Sequence, residues 1–297
     1  MANYNTGLYV EEAINSIIRQ TYDNWELIIV DDASTDGSKE IIKRIKDDRI
    51  ILLENEKNVG LAASLNRGIK EAHNPDYLVR FDSDDISIRN RIEKQIEYME
   101  YHKDVAVVGS NMSIFFEDGR PDVVTHFFEQ SDWLMCNIPF SSPLPHPTWV
   151  IRVDAFKDGV AYNEDCGIAE DYDFMFRLFR AGGIIACINE PLVRYRVRSS
   201  SSSHDGKTVN PYTLAHQIKV AEWLGVKGGE RIVRPINICK YGENHSFSNY
   251  IKCVRYCFLL LHANHKKKCF NNKAFLYALI RQIYGATRCV LLKEYGD

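Results

Sequence analysis

The chain lacks any run of 18 apolar residues, so none of it is predicted to cross a bilayer as a helix. The stretch "CVRYCFLLLHA" (253–263) is too short for that. The N-terminus has no apolar core of a signal peptide. No G-x-G-x-x-G follows a strand-like run, which disfavours classical dinucleotide binding. No G-x-x-x-x-G-K-[ST] is present, which excludes a P-loop nucleotidase. None of the eight cysteines forms a Cys-x-x-Cys pair. Cys136, Cys166, Cys187, Cys239, Cys253, Cys257, Cys269 and Cys289 are read as reduced thiols, several of them core residues, in a cytosolic protein. Cys253 and Cys257 stand at i, i+4, but no second His or Cys pair completes a zinc site.

What is present fits a soluble globular protein of one large domain, or one domain with an appendage: 297 residues, 45% apolar and 26% charged. The net charge of -3 is unevenly spread. From Asp205 onward 15 Lys/Arg face 6 Asp/Glu, so the body is acidic and the tail basic. Such a tail suits an anionic surface; a solvated tail with no partner is the alternative.

The chain reads as alternating strands and helices. "LYVEEAINSIIRQ" (8–20) is a helix with Ile14, Ile17 and Ile18 on one face. "WELIIV" (25–30) is a buried strand ending in "DDASTDGS", where Ser34 or Thr35 is expected to cap the next helix. Strands follow at 49–55, 76–81 and 105–116, with helices at 58–73 and 89–102. This alternation argues for a parallel α/β sheet, whose ligands bind beyond the carboxyl ends of the strands. Two acidic segments, 31–36 and 82–85, fall at that rim. Further on, "NIPFSSPLPHPTWVIR" (137–152), with four prolines, is a loop leading into a strand, "IAEDYDFMFRLFRAGG" (168–183) is a helix, and the chain is helical from about 211.

In "RFDSDD", Asp82 and Asp84 are i, i+2 and would point the same way on an extended segment. Their repulsion would be relieved by a hard divalent cation such as Mg²⁺ or Mn²⁺, usually shared with phosphates; an acidic turn with helix-capping roles is the competing reading. An EF-hand is rejected, because Ile86 and Ser87 stand where a ligand and the obligatory glycine belong. In "AEDYDF", Asp171 is a candidate general base, with Glu170 beside it; helix capping is the competing reading.

Taken in order, "NYNTGLYVEEAINSIIRQTYDNWELIIVDDASTDGS", "RFDSDD", "HPTWVIR" and "AEDYDFMFRL" resemble glycosyltransferase family 2. The resemblance covers about residues 3–200 and implies inverting, nucleotide-sugar-dependent enzymes of bacterial surface-polysaccharide type. It implies the GT-A fold, a Rossmann-like, mostly parallel sheet flanked by helices. The catalytic domain would be 1–204, with a nucleotide-sugar and metal half (about 1–115) and an acceptor half (about 116–204), followed by a basic helical region, 205–297. Asp31 and Asp32 would hold the nucleotide. Asp82 and Asp84 would bind Mn²⁺ or Mg²⁺ on the donor diphosphate, with Asp82 also nucleotide-binding and Asp85 as support. Asp171 would be the base and Glu170 would orient the acceptor, while His146 and Trp149 line the acceptor side. Arg196 and Arg198 would clamp the diphosphate. Where the family often has a His, Arg198 stands here, and His204 is the nearby substitute.

The sequence departs from the family at its start: only Met1 and Ala2 precede Asn3-Tyr4-Asn5, so the first strand is expected to be missing and its neighbours left with unpaired edges. The activity expected is transfer of a sugar, UDP-linked, to a hydroxyl of a glycan or lipid-linked glycan. The alternatives are a catalytically impaired nucleotide- or sugar-binding protein and, behind it, a sugar nucleotidyltransferase. The tail "HANHKKKCFNNKAFLYALIRQIYGATRCVLLKEYG" (262–296) mixes basic and apolar residues at helical spacing. It is expected either to lie on the inner face of an anionic plasma membrane or to pack as a subdomain. No nucleic-acid partner is expected.

Overall fold

A computed structural model describes residues 1–156, 159–198, 210–241 and 246–294, without the side chains of 239–241 and 289–294. His204, the serine run and the side chains of Cys239 and Cys289 lie outside the described residues. The chain divides into two units, one of Met1–Gln130 with Leu144–Ser199, the other of Ser131–Pro143 with Ser200–Asp297.

The first unit begins with a parallel sheet of β1 (Ala2–Asn3), β2 (Leu27–Asp31) and β3 (Ile50–Glu54), with β2 in the middle. Helix α1 (Val10–Ile18) buries Val10, Ala13, Ile14 and Ile17, one stripe at helical spacing, in a core with Leu27, Ile29 and Phe81. Helix α2 (Ser38–Arg44) starts at Gly37, whose φ of 85° favours glycine. The expected Ser34 or Thr35 cap is not used. Asp36 takes the Ser38 N–H at 3.0 Å instead, while Ser34 Oγ accepts from Asn3 and Asn5. Helix α3 (Leu61–Glu71) follows Gly60 and packs on β2.

The second sheet has β4 (Tyr77–Val79), β5 (Ile86–Ser87), β6 (Val105–Phe116), β7 (Val123–Val124), β8 (Val150–Arg152) and β9 (Ile184–Val197). Its order is β4-β8-β6-β9-β5, with β7 on β6. The parallel character read from the sequence belongs to β1–β3; here only the β6–β9 pairing is parallel. Helix α4 (Arg91–Tyr101) packs Met99 on Val105, Val108 and Val150. Helix α6 (Glu170–Arg180) carries the second acidic motif.

The first strand is therefore a two-residue strand, not absent, and it sits between the two sheets. Ala2 pairs in parallel with Val30 on one side and with Asp82 on the other. Asn3 fixes this junction: its Nδ2 donates to Asp31 at 2.7 Å, and its Oδ1 accepts from Thr6, which also reaches Ser83 at 3.1 Å.

The second unit holds α5 (Ser131–Met135), α7 (Pro211–Leu224), α8 (Glu230–Tyr241), α9 (Phe247–Lys267) and α10 (Asn272–Glu294). Asn210 caps α7 through the Tyr212 N–H, and Gly225 (φ 98°) ends it. Gln217 ties the Phe140 carbonyl at 2.7 Å to Asn237. Cys136, Cys253 and Cys257 in this unit, like Cys166 and Cys187 in the first, are buried free thiols; Cys269 is half-buried. Among the described residues, no helix is long and apolar enough to cross a membrane.

The Asn3 junction gives a direct test. Asn3→Ala leaves the buried Asp31 carboxylate short of a charge-assisted hydrogen bond, a loss of about 2–3 kcal/mol. Urea unfolding measures it; a change within about 0.5 kcal/mol, the size of an ordinary surface substitution, would show that the junction does not depend on Asn3.

Candidate active site

The junction brings the two acidic segments to one rim. Asp31 ends β2 beside Asn3, and Asp82 pairs with Ala2, so two strand spacings, about 10 Å, separate them. Asp31 is 1% exposed and spends both oxygens on the fold: Asn3 Nδ2 at 2.7 Å and the Ser34 N–H at 3.0 Å. Asp32, 3% exposed, accepts from Asn55 at 2.7 Å and from the Val59 and Gly60 N–H groups at 2.9 Å. It thus pins the loop that opens α3 against β2.

The chain turns immediately after Asp82 rather than continuing as a strand. Asp82 and Asp84 still converge, but the turn achieves it, and it recruits Asp85 as well: the three residues offer carboxylate oxygens within 4.8 Å of one another. Burial and Asp82 push the Asp84 carboxyl up to about 6, against the pull of Arg198. Burial, then Asp82 and Asp84, hold Asp85 well above the usual carboxylate range, and its Oδ2 is buried with no partner. Three crowded hard oxygen donors, one of them unsatisfied, fit a divalent cation such as Mg²⁺ or Mn²⁺.

Strand β9 brings the arginines. The Arg196 N–H donates to Asp85 at 2.9 Å, its Nε to the Asp84 carbonyl at 2.9 Å and its Nη2 to Glu12 at 2.6 Å. Arg198 pairs with Asp84 at 2.8 Å and lies over the Tyr9 ring. Arg196 therefore braces the acidic turn, and Arg198 faces the carboxylates.

Sequence reading missed Arg80. It donates to Asp82 at 2.5 Å from a buried position. Burial opposes its charge, but Asp82, Tyr162 and Glu170 more than compensate, and its pKa rises. The signal was available: Arg80 and Asp82 are i, i+2, on one side of an extended segment.

The second acidic motif lies at the start of α6, where the helix dipole favours negative charge. Asp171 is half-buried and accepts the Tyr172 N–H at 2.7 Å. Glu170 is buried; burial raises its carboxyl while Arg80 moderates the rise, and its Oε2 has no partner. His146 stands 3.3 Å from Glu170 through Nδ1 and 2.8 Å from the Tyr162 hydroxyl through Nε2. Burial, with Arg80 second, lowers His146 to about 3, so the ring is neutral. Burial keeps the Tyr162 hydroxyl protonated. A neutral ring between these partners takes its proton on Nδ1, donates to Glu170 and accepts from Tyr162. Trp149 has no exposed surface; it backs His146 at 4.6 Å between ring centres and Phe174 at 5.5 Å.

Residues 1–159 match the family model described as Glycosyl transferase family 2. EpsE of Bacillus subtilis, named as a glycosyltransferase, is 36% identical over 74% of this chain and 78% of its own. WfaP of Escherichia coli, named as a UDP-Glc:alpha-D-GlcNAc-diphosphoundecaprenol beta-1,3-glucosyltransferase, is 31% identical over 78% of this chain and 88% of its own. Among solved structures, S. aureus TarS 1-349 with UDP-GlcNAc superposes with a TM-score of 0.62 at 18% identity, covering 100% of this chain and 90% of that one. A mannosyltransferase from Pyrobaculum calidifontis, with GDP-Man and Mn²⁺, gives 0.53 at 16% identity, covering 100% and 74%. The fold is the GT-A fold.

A buried neutral histidine has a pH signature. His146 binds its proton only near 3 in the folded chain but near its ordinary 6.5 when unfolded. Between those values the unfolded state holds more protons, so this residue's share of stability falls as pH falls from about 6.5. Urea unfolding at pH 7, 6, 5 and 4 should show that fall, and His146→Gln should lose it. Parallel curves for the two proteins would refute a neutral buried ring.

Proposed function

This chain belongs to glycosyltransferase family 2, and from that premise we propose that it transfers a sugar from a UDP-linked donor to a hydroxyl acceptor with inversion, in polysaccharide synthesis. The observation that carries the reading is the meeting of a three-carboxylate cluster, at Asp82, Asp84 and Asp85, with a second acidic motif, Glu170–Asp171, that shares the field of Arg80. The UDP donor and a lipid-linked glycan acceptor are chosen by analogy with the relative whose name carries both.

On this reading Asp32, supported by Asp31, meets the nucleoside, and the loop at Val59–Gly60 that Asp32 holds forms one wall. Asp82 and Asp84 would hold the divalent cation, Mn²⁺ or Mg²⁺, with Asp85 as support. When bound, that cation supplies charge neutralisation at the donor diphosphate. Arg198, beside Asp84, faces the diphosphate, and Arg196 keeps the turn in place.

Asp171 takes the proton of the acceptor hydroxyl as that oxygen attacks the anomeric carbon. The bond from the anomeric carbon to the diphosphate oxygen breaks on the opposite face, and the diphosphate leaves without needing a proton. One base is therefore enough. Glu170 orients the acceptor, its carboxylate aimed by the neutral His146–Tyr162 pair. Trp149 stiffens that pair from behind and so shapes the acceptor side.

The second unit suits a peripheral position on an anionic inner membrane face. Phe258 is 66% exposed on α9, in line with Ile251 and near Lys252 and Arg255; Ile280 and Tyr284 are exposed on α10 beside Arg281. Apolar side chains interleaved with cations are the pattern of interfacial helices.

Two measurements test these readings. UDP release from a panel of UDP-sugars with Mn²⁺ should require the metal, and Asp171→Asn should lower it by about 10²–10⁴-fold while UDP binding persists. Equal release by the parent and Asp171→Asn would remove Asp171 from the role of base; UDP binding with no turnover on any donor would favour the binding-only protein. Vesicles containing phosphatidylserine should co-sediment the chain, less so in 0.5 M salt and with Phe258→Ser; equal binding to neutral vesicles would remove the electrostatic part.

A further inference from the structure

Two arginines reach the acidic turn from the end of β9, and they are held differently. Arg196 spends its donors on protein: Nε on the Asp84 carbonyl, Nη2 on Glu12 and the backbone N–H on Asp85. Its guanidinium also lies 4.5 Å from the Phe115 ring centre and 4.7 Å from that of Tyr9. Arg198 pairs with Asp84 at 2.8 Å, and its guanidinium lies 5.5 Å from the Tyr9 ring centre.

The two contacts of Arg198 make different demands on it. An ion pair uses N–H groups at the edge of the guanidinium, the same groups that a phosphate would need. A cation–π contact, effective within about 6 Å of the ring centre, uses the charge and needs no N–H. When Asp84 turns to a divalent cation it gives up Arg198, whereas the ring does not. Tyr9 can therefore keep Arg198 beside the acidic turn while the donors of Arg198 face a ligand.

The ring is itself tied down. Tyr9 is half-buried and immediately precedes α1. Its N–H donates to the Thr6 carbonyl at 2.8 Å, and Thr6 Oγ1 meets Ser83 Oγ, inside the acidic turn, at 3.1 Å. Its hydroxyl donates to Glu117, directly after β6. Strand β6 is the parallel neighbour of β9, which delivers Arg198. One end of Tyr9 is thus fixed to the turn that carries the carboxylates, and the other to the strand beside the arginine.

We propose that Tyr9 is a positioning residue for donor recognition: its ring holds the Arg198 guanidinium ready for the diphosphate and so sets how strongly the chain prefers a nucleoside diphosphate to the bare nucleoside. This rests on the reading of Arg198 as a diphosphate contact. The ring does the holding, and the hydroxyl orients the ring.

Equilibrium binding of UDP and of uridine to the full chain, with Mg²⁺ present, tests this. The parent should bind UDP more tightly than uridine. Tyr9→Leu should weaken UDP binding about three- to tenfold, the scale of one cation–π contact, and leave uridine binding within about twofold. Tyr9→Phe, which keeps the ring, should restore most of the preference for UDP. Arg198→Gln should also weaken UDP binding, and adding Tyr9→Leu to it should change little, because the ring then has no Arg198 charge to hold. Three results overturn the proposal: an unchanged preference for UDP in Tyr9→Leu, an equal loss for UDP and uridine, or a full further loss when Tyr9→Leu is added to Arg198→Gln. A parent that binds UDP no better than uridine, or an Arg198→Gln variant that binds UDP like the parent, overturns the diphosphate reading of Arg198 itself, and the role of Tyr9 falls with it.

Discussion

The pairing of Ala2 with both Val30 and Asp82 is the constraint on which the rest depends. Two residues join a parallel sheet to a mostly antiparallel one. Each sheet ends in an acidic segment, and neither segment has a fixed distance to the other without that joint. Asn3 adds the side-chain half of the junction by engaging Asp31 and Thr6, and Thr6 passes the contact to Ser83. A short strand can do this because the Asn3 side chain is bonded at both ends inside the fold, where each unmade bond would be costly.

Beyond the joint, the site is organised by a shortage of positive charge. Five carboxylates, from Asp82, Asp84, Asp85, Glu170 and Asp171, gather in the first unit, and Arg80, Arg91, Arg196 and Arg198 are among the cations near them. Arg196 is held on three sides by protein groups, so its charge is committed to shape. Burial first, and the neighbouring carboxylates second, raise Asp84 and Asp85. Crowded carboxylates of this kind, at the rim of a sheet, have the chemistry that suits a cation or a ligand that brings one.

Much of this was legible from residue order. Strand and helix periodicity located α1, β2, α4 and α6 closely, because each carries an apolar stripe or a continuous apolar run. The convergence of Asp82 and Asp84 was expected for a mistaken reason: an extended segment was assumed, and a turn does the work, which is why Asp85 joins them. The cap at α2 was misassigned because Ser34 and Thr35 are good capping types, whereas tertiary contacts with Asn3 and Asn5 claim Ser34 and the Thr35 N–H. Tyr162 was invisible, since nothing in its neighbourhood ties it to His146, sixteen residues earlier. The antiparallel pairings of the second sheet were equally hidden, because strand order is decided by contacts distant in sequence.

Arg80 is a single buried charge lent to two places. It bonds Asp82 directly and stabilises the ionised forms of Glu170 and, across the pocket, Tyr162. At Glu170 the Asp82 charge opposes that of Arg80, and coupling of this kind is reciprocal by thermodynamic necessity. A ligand that draws Asp82 away frees Arg80 to hold Glu170 more firmly as a carboxylate; a ligand that neutralises Glu170 tightens the grip on Asp82. The rim and the helix start therefore share one electrostatic field, centred on Arg80.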